Sequence, residues 1–184
     1  MQSGKVATAE GSSADLSVNL DTSFPAHSES PEKLRPRVMF VASNGGHLAQ
    51  LMGLRSWWEG RERVWVSFDK PDARSKLNGE DVIWAYWPTT RNLRNLARNL
   101  MLAIRQVRRV QPDVIVSTGA GVALPFFVVA RLRRIPTVFI EVYDRIDSRT
   151  LSGRLCRPLS TEFLVQWPEQ ENLYPGSTVV GPLL

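Results

Sequence analysis

Two short glycine-bearing segments, one carboxylate and one arginine-rich stretch hold the residues of this sequence best suited to chemistry. The first segment is Ser43-Asn44-Gly45-Gly46-His47, between an apolar run and a helical pattern. Such a junction offers unpaired helix N–H groups and partial positive charge. Two glycines let a phosphate or sugar approach the backbone closely, and His47 would face the same crevice. The second segment, Thr118-Gly119-Ala120-Gly121, has the same setting, with Leu124 where a full G-x-G-x-x-G would end in glycine. Each segment also suits a compact strand-to-helix turn. Two of them at one edge of one sheet suit a diphosphate-type ligand. Glu141 closes a later apolar run, where a carboxylate can bind sugar hydroxyls or act as a base, or pair with Arg145 or Arg149.

The arginine-rich stretch reads as one long helix over 92–110. Leu93, Leu96, Ala97, Leu100, Ile104 and Val107 recur at three- and four-residue steps and form its apolar face. Arg91, Arg94, Arg98, Arg105, Arg108 and Arg109 are the only charges there and fall along one flank, with Leu102 among the polar positions. A basic amphipathic helix suits an anionic membrane surface, and also a core helix with a solvated flank. Arg131, Arg133 and Arg134 extend the basic surface.

The elements that must position these groups follow from the pattern. Short apolar runs predict strands over 37–43, 63–68, 81–87, 113–117, 137–142, 162–166 and 178–180. Helices are predicted over 47–58, 92–110 and 123–133. Strands alternating with helices, and apolar throughout, predict an α/β fold: a Rossmann-like, mostly parallel sheet covered on both faces. Residues 1–36 are rich in serine and poor in large apolar side chains, which predicts a disordered tail. The ordered domain is then 37–184, with 20 basic and 13 acidic residues.

Composition removes several classes. The chain has 184 residues and a formal charge of +5, enough for one domain. A single cysteine, Cys156, excludes an intrachain disulfide and suggests a reducing compartment. Two histidines and that cysteine cannot build a Cys/His metal cluster. No apolar run is long enough for a transmembrane helix, and the start does not read as a secretory signal. There is no G-x-x-x-x-G-K-[ST], no G-x-S-x-G elbow and no D-x-D. Charge alone would allow nucleic-acid binding, but no reader motif is present, so no nucleic-acid partner is expected.

Taken together, the motifs resemble one subunit of two-piece UDP-sugar glycosyltransferases. The matching stretches are 43–51, 117–126, 140–145, 149–154, 164–167, and Tyr174-Pro175-Gly176 with Val180-Gly181-Pro182-Leu183. The family comprises exopolysaccharide and capsule proteins of the PssD/EpsE type and the membrane-associated subunit of the eukaryotic dolichyl-diphosphate GlcNAc transferase. The resemblance spans about 37–184. It implies the N-terminal, acceptor-side domain of a GT-B enzyme cut in two, with a separate small subunit binding the UDP-sugar donor. It assigns the acceptor diphosphate to the glycine loops, here Ser43, Asn44, Gly45, Gly46, Gly119, Ala120 and Gly121. It makes His47 and Glu141 the candidate catalytic residues, although Val142 and Tyr143 depart from the pattern of the one-piece relative. No cofactor or metal is implied. The eukaryotic subunit begins with a membrane anchor where this sequence has a polar tail. Attachment at the inner, cytoplasmic face of a membrane is therefore expected from the arginine-flanked helix or from a partner. Two rivals stay open: a non-catalytic membrane scaffold for the catalytic subunit, and a stand-alone nucleotide-binding Rossmann protein.

Overall fold

Every side chain of the first strand, β1 (Val38–Ala42), is buried, and alternate residues enter two different cores. That is what a strand inside a doubly covered parallel sheet requires. The molecule is known from a computed structural model that describes residues 36–184, so the tail expected over 1–36 lies, Pro36 apart, outside the described residues. The other strands are β2 (Arg63–Phe68), β3 (Val82–Ala85), β4 (Val114–Gly119), β5 (Thr137–Ile140), β6 (Glu162–Val165) and β7 (Thr178–Val179). They form one seven-stranded sheet in the order β3-β2-β1-β4-β5-β6-β7, with every pair parallel. The predicted parallel α/β architecture is the observed one.

One face carries α1 (Gly46–Gly53), α2 (Arg55–Trp58) and α3 (Pro71–Lys76) over a core in which Phe40 stacks on Trp65 at 4.3 Å between centroids. The other carries α4 (Leu93–Val110), α5 (Ala123–Arg133), α6 (Leu151–Cys156) and α7 (Pro168–Leu173). There Phe139 stacks on Phe163 at 5.1 Å, and Phe163 leans on Tyr174 at 4.6 Å.

The single helix expected over 47–58 is two. The chain breaks at Leu54, where the Trp58 indole N–H donates to the Leu51 carbonyl at 2.9 Å and so takes an acceptor from the helical ladder. The three helices left unassigned, α3, α6 and α7, are each six residues long, too short for a clear 3.6-residue period.

The long helix is rotated from its expected seating. Leu102, expected among polar positions, is only 5 % exposed, whereas Leu93 is 81 % and Met101 65 % exposed. Two asparagines cause this. Asn99 accepts the Tyr86 N–H at 2.9 Å and donates to the Tyr86 carbonyl at 3.0 Å, while Asn95 donates to the Pro88 carbonyl at 2.9 Å. These backbone groups follow the edge strand β3 and, once covered, need partners. Asn95 and Asn99 therefore turn inward, and part of the leucine face turns out.

After β7 the chain doubles back. Leu183 donates its N–H to Gln166 Oε1 at 2.9 Å, and Gln166 Nε2 donates to Gln50 Oε1 in α1 and, at 2.9 Å, to the Glu141 carbonyl. Val180 and Leu183 pack against the α1–α3 core.

Candidate functional site

The strand order reverses direction between β1 and β4. Chain leaving β1 goes to one face and chain leaving β4 to the other, so a crevice opens at their C-terminal ends. Both glycine segments lie there.

In the first, Gly45 has φ 74°, a left-handed value that favours glycine, and a side chain there or at Gly46 would meet nothing within 4 Å. The loop backbone is thus open on its outer side, and the start of α1 has no side-chain cap. The loop is held from beneath by Asp72 in α3. Asp72 accepts the Gly45 N–H at 2.8 Å and the Asn44 amide at 3.1 Å. Burial pushes the Asp72 carboxyl up, but these donors, with backbone N–H groups of α3, outweigh it and hold it below its ordinary value.

In the second, Gly119 has φ 107°, and a Cβ there would stand 3.2 Å from Phe139 Cζ and 3.5 Å from His47 Cε1. The Gly119 amide is satisfied by Ser117 Oγ at 2.9 Å, and Ser117 Oγ donates to the Val41 carbonyl at 2.6 Å, tying β4 to β1. A Cβ at Gly121 would come within 2.8 Å of Thr89 Oγ1, so the β3–α4 loop closes on the glycine.

His47 joins the two loops. Its Nδ1 lies 2.8 Å from the Thr118 carbonyl oxygen, and Thr118 Oγ1 donates to the His47 carbonyl at 2.7 Å. A carbonyl only accepts, so Nδ1 carries the proton and the neutral ring keeps its lone pair on Nε2. The half-buried ring lines a cleft of about 760 Å³ together with Ser43, Asn44, Ala120 and Gly121. Five leucines line it as well: Leu93 and Leu96 from α4, Leu124 from α5, Leu151 and Leu155 from α6. Arg91 and Trp87 stand at the same opening.

Glu141 is not in this cleft. It is 0 % exposed. Thr150 Oγ1 donates to its carboxylate at 3.0 Å, the Val142 N–H donates at 3.0 Å, and the Tyr174 hydroxyl donates to Oε2. A Cβ at Gly153 would collide with this group, so α6 can seat here only on a glycine. Glu141 thus fixes the N-terminus of the helix whose leucines wall the cleft. Burial, and then the bond to Glu141, push the Tyr174 hydroxyl well above its ordinary value. Burial and the Glu141 charge push the neighbouring Cys156 thiol up to about 12.

A sequence profile of the family described as "Oligosaccharide biosynthesis protein Alg14 like" matches residues 86–183, more than half the chain. The chain belongs to this family. Alg14 relatives match over most of their length. The UDP-N-acetylglucosamine transferase subunit ALG14 of Homo sapiens is 29 % identical over 181 residues, covering 80 % of this chain and 82 % of the relative. That of Mus musculus is 25 % identical over 192 residues, covering 87 % and 88 %. In fold the Alg14-like chain is similar to Acinetobacter baumannii MurG, with TM-score 0.66 at 16 % identity over 81 % of this chain and 46 % of that one. It is equally similar to a UDP-N-acetylglucosamine 2-epimerase from Rickettsia bellii, with TM-score 0.66 at 12 % identity over 81 % and 45 %. The chain therefore spans about half the length of those structures.

The remaining expected site residues of this Alg14-like chain are spread along α4. Arg94, Arg98, Arg105, Arg108 and Arg109 are exposed, and Arg98 lies over the Tyr86 ring at 5.5 Å. Residues 82–112 hold six arginines and no acidic residue. Beside them Trp84, Tyr86, Trp87, Leu93 and Met101 are exposed. No described helix is long and apolar enough to cross a membrane. Asp72, Trp87, Thr89 and the α6 leucines were not anticipated. The Pro71-Asp72 start of α3 and the Leu151/Leu155 spacing are the signals that could have found them.

Proposed function

We propose that this chain is the membrane-associated, acceptor-side subunit of a two-piece UDP-sugar glycosyltransferase. It helps move GlcNAc or another hexose onto a polyprenyl-diphosphate-linked acceptor, in exopolysaccharide, capsule or glycolipid synthesis. The observation that carries this reading is the make-up of the cleft: Ser43, Asn44, Ala120 and Gly121 of the two loops, His47 and five leucines line one space. A ligand with a diphosphate, a sugar and an isoprenoid chain combines the same polar and apolar chemistries. The family membership and the names of the Alg14 relatives support the transferase role.

In this reading the backbone amides of Gly46, Ala120 and Gly121 hold the diphosphate, with Gly45, whose own N–H is bonded to Asp72, shaping the loop. Nε2 of His47 takes the proton of the acceptor hydroxyl as its oxygen attacks the anomeric carbon. The bond to UDP breaks and the configuration inverts. The donor is held by a smaller partner subunit, and the lone chain is inactive. No resident metal or cofactor enters these steps. The exposed tryptophans, leucines and arginines around α4 rest on the inner face of an anionic membrane.

The test is transfer from UDP-GlcNAc to a polyprenyl-diphosphate sugar by the chain purified with its partner subunit. His47→Ala should abolish transfer while leaving the fold and partner binding intact. Full activity of that variant would remove His47 from the mechanism. The exposed α4 face also favours a scaffold role. If Arg94→Gln/Arg98→Gln strips the complex from membranes while His47→Ala keeps turnover, the scaffold reading stands instead.

A further inference from the structure

The 149–154 motif contributes Leu151 and Ser152 to the cleft wall. Its arginines line something else. Arg149, Arg154 and Arg157, with Pro158 and Tyr174, enclose a separate hollow of about 450 Å³. None of its lining residues is shared with the glycine-loop cleft.

Two of the three guanidiniums are already ordered. Arg149 Cζ lies 5.6 Å and Arg157 Cζ 5.7 Å from the centre of the Tyr174 ring. Arg157 also donates to the Pro175 carbonyl oxygen. The ring is itself fixed, because its hydroxyl is spent on Glu141 and on the Thr150 N–H at 3.1 Å. No ion pair among the described residues includes Arg149, Arg154 or Arg157. Glu141, the carboxylate bonded to Tyr174 among the described residues, is buried and bonded to hydroxyls and a backbone N–H. Three forked cations therefore face a hollow that no carboxylate lines. A multivalent oxyanion in the hollow could accept N–H bonds from forked guanidiniums on more than one side. The hollow, at about 450 Å³, has ample room for a phosphate or diphosphate group.

We propose that Arg149, Arg154 and Arg157 form a phosphate-binding site distinct from the cleft. The phosphate comes from one of two sources, a small molecule in solution or the headgroup of an anionic lipid. This inference does not depend on the role given to His47.

The experiment uses the full chain and inorganic pyrophosphate, followed through the arginine Nε–H signals in NMR spectra. The signals of Arg149, Arg154 and Arg157 should shift together and saturate. Arg149→Gln/Arg154→Gln should weaken that binding by about tenfold or more, as expected for lost charge-assisted bonds. Arg131→Gln/Arg134→Gln removes the same charge at the end of α5 and should leave it unchanged. Equal loss in both pairs, or shifts confined to the amides of Gly45, Gly46 and Ala120, would overturn the proposal. The Arg154 side chain makes no hydrogen bond among the described residues, so Arg154→Gln alone is a variant that keeps the fold.

A second arm measures binding to phosphatidylcholine vesicles with and without phosphatidylglycerol. If Arg149→Gln/Arg154→Gln weakens binding to the anionic vesicles and pyrophosphate competes with them, the source is a lipid headgroup. If vesicle binding is unchanged while pyrophosphate binding is lost, the source is a small phosphate in solution. If neither is weakened, the site does not exist.

Discussion

His47 and Glu141 lie close to the C-terminal ends of neighbouring strands, β4 and β5, yet they live in opposite surroundings. His47 makes one ring hydrogen bond, to a carbonyl, and keeps a ring nitrogen for the cleft. Glu141 is sealed, with both carboxylate oxygens occupied by protein donors. Position at a strand end brings a residue near the crevice. Whether it can react is decided by how many partners the neighbouring loop supplies. The 143–150 loop turns Thr150 and, through α7, Tyr174 onto Glu141, while nothing closes over His47.

The contrast can be broken most directly at its two poles. His47→Ala should cost at least about a hundredfold in transfer, as expected for removal of a general base, with the fold retained and only the bond to the Thr118 carbonyl lost. Glu141→Ala should do the reverse. It strands Thr150, Tyr174 and the Val142 amide, and should destabilise the fold by about 3 kcal/mol in chemical denaturation. Turnover per folded molecule should change far less than for His47→Ala. A Glu141→Ala enzyme that is stable but dead would make the two residues alike after all.

Asp72 sharpens the same contrast, because it acts on the cleft without entering it. Asp72→Ala should raise KM for the lipid-linked acceptor by about tenfold, the worth of one charge-assisted hydrogen bond, with a smaller change in kcat. Asp72→Asn, which still accepts from Gly45, should restore most of it. Equal losses in kcat and kcat/KM would assign Asp72 to the transition state instead.

The smallest effect is on pH dependence. The Tyr174 phenol is raised, so its contribution to stability is fully present below the ordinary phenol value near 10 and is lost as pH rises through the raised one. Tyr174→Phe should be less stable at neutral pH and flatter above about pH 10, as read from denaturation midpoints. A parallel alkaline decline in both proteins would show that Tyr174 is not the group responsible.

Much of this was readable from residue order. The strands lie close to where short apolar runs placed them, because burial on both faces of a parallel sheet demands apolar residues at every position. Both glycine segments and His47 fell at the switch point for the same reason. What was hidden depended on partners distant in sequence. Glu141 reads as an available carboxylate until Tyr174, 33 residues later, is folded against it. Leu93 reads as core, and Leu102 as a polar-flank residue, until Asn95 and Asn99 are seen to answer unpaired backbone after the edge strand β3. Hydrophobic periodicity counts side chains and carries no term for a backbone group that needs a donor.

The return of the chain after β7 has a dynamic consequence. Gln166 is held at once by the Leu183 amide, by Gln50 of α1 and by the Glu141 carbonyl. Loosening residues 180–184 therefore frees an amide that joins α1 to the end of β5. Hydrogen exchange at α1 and at the C-terminal residues should then proceed as one cooperative opening, although Gln50 and Gln166 are 116 positions apart in the chain. The helix that carries His47 is only as quiet as the tail that pins it.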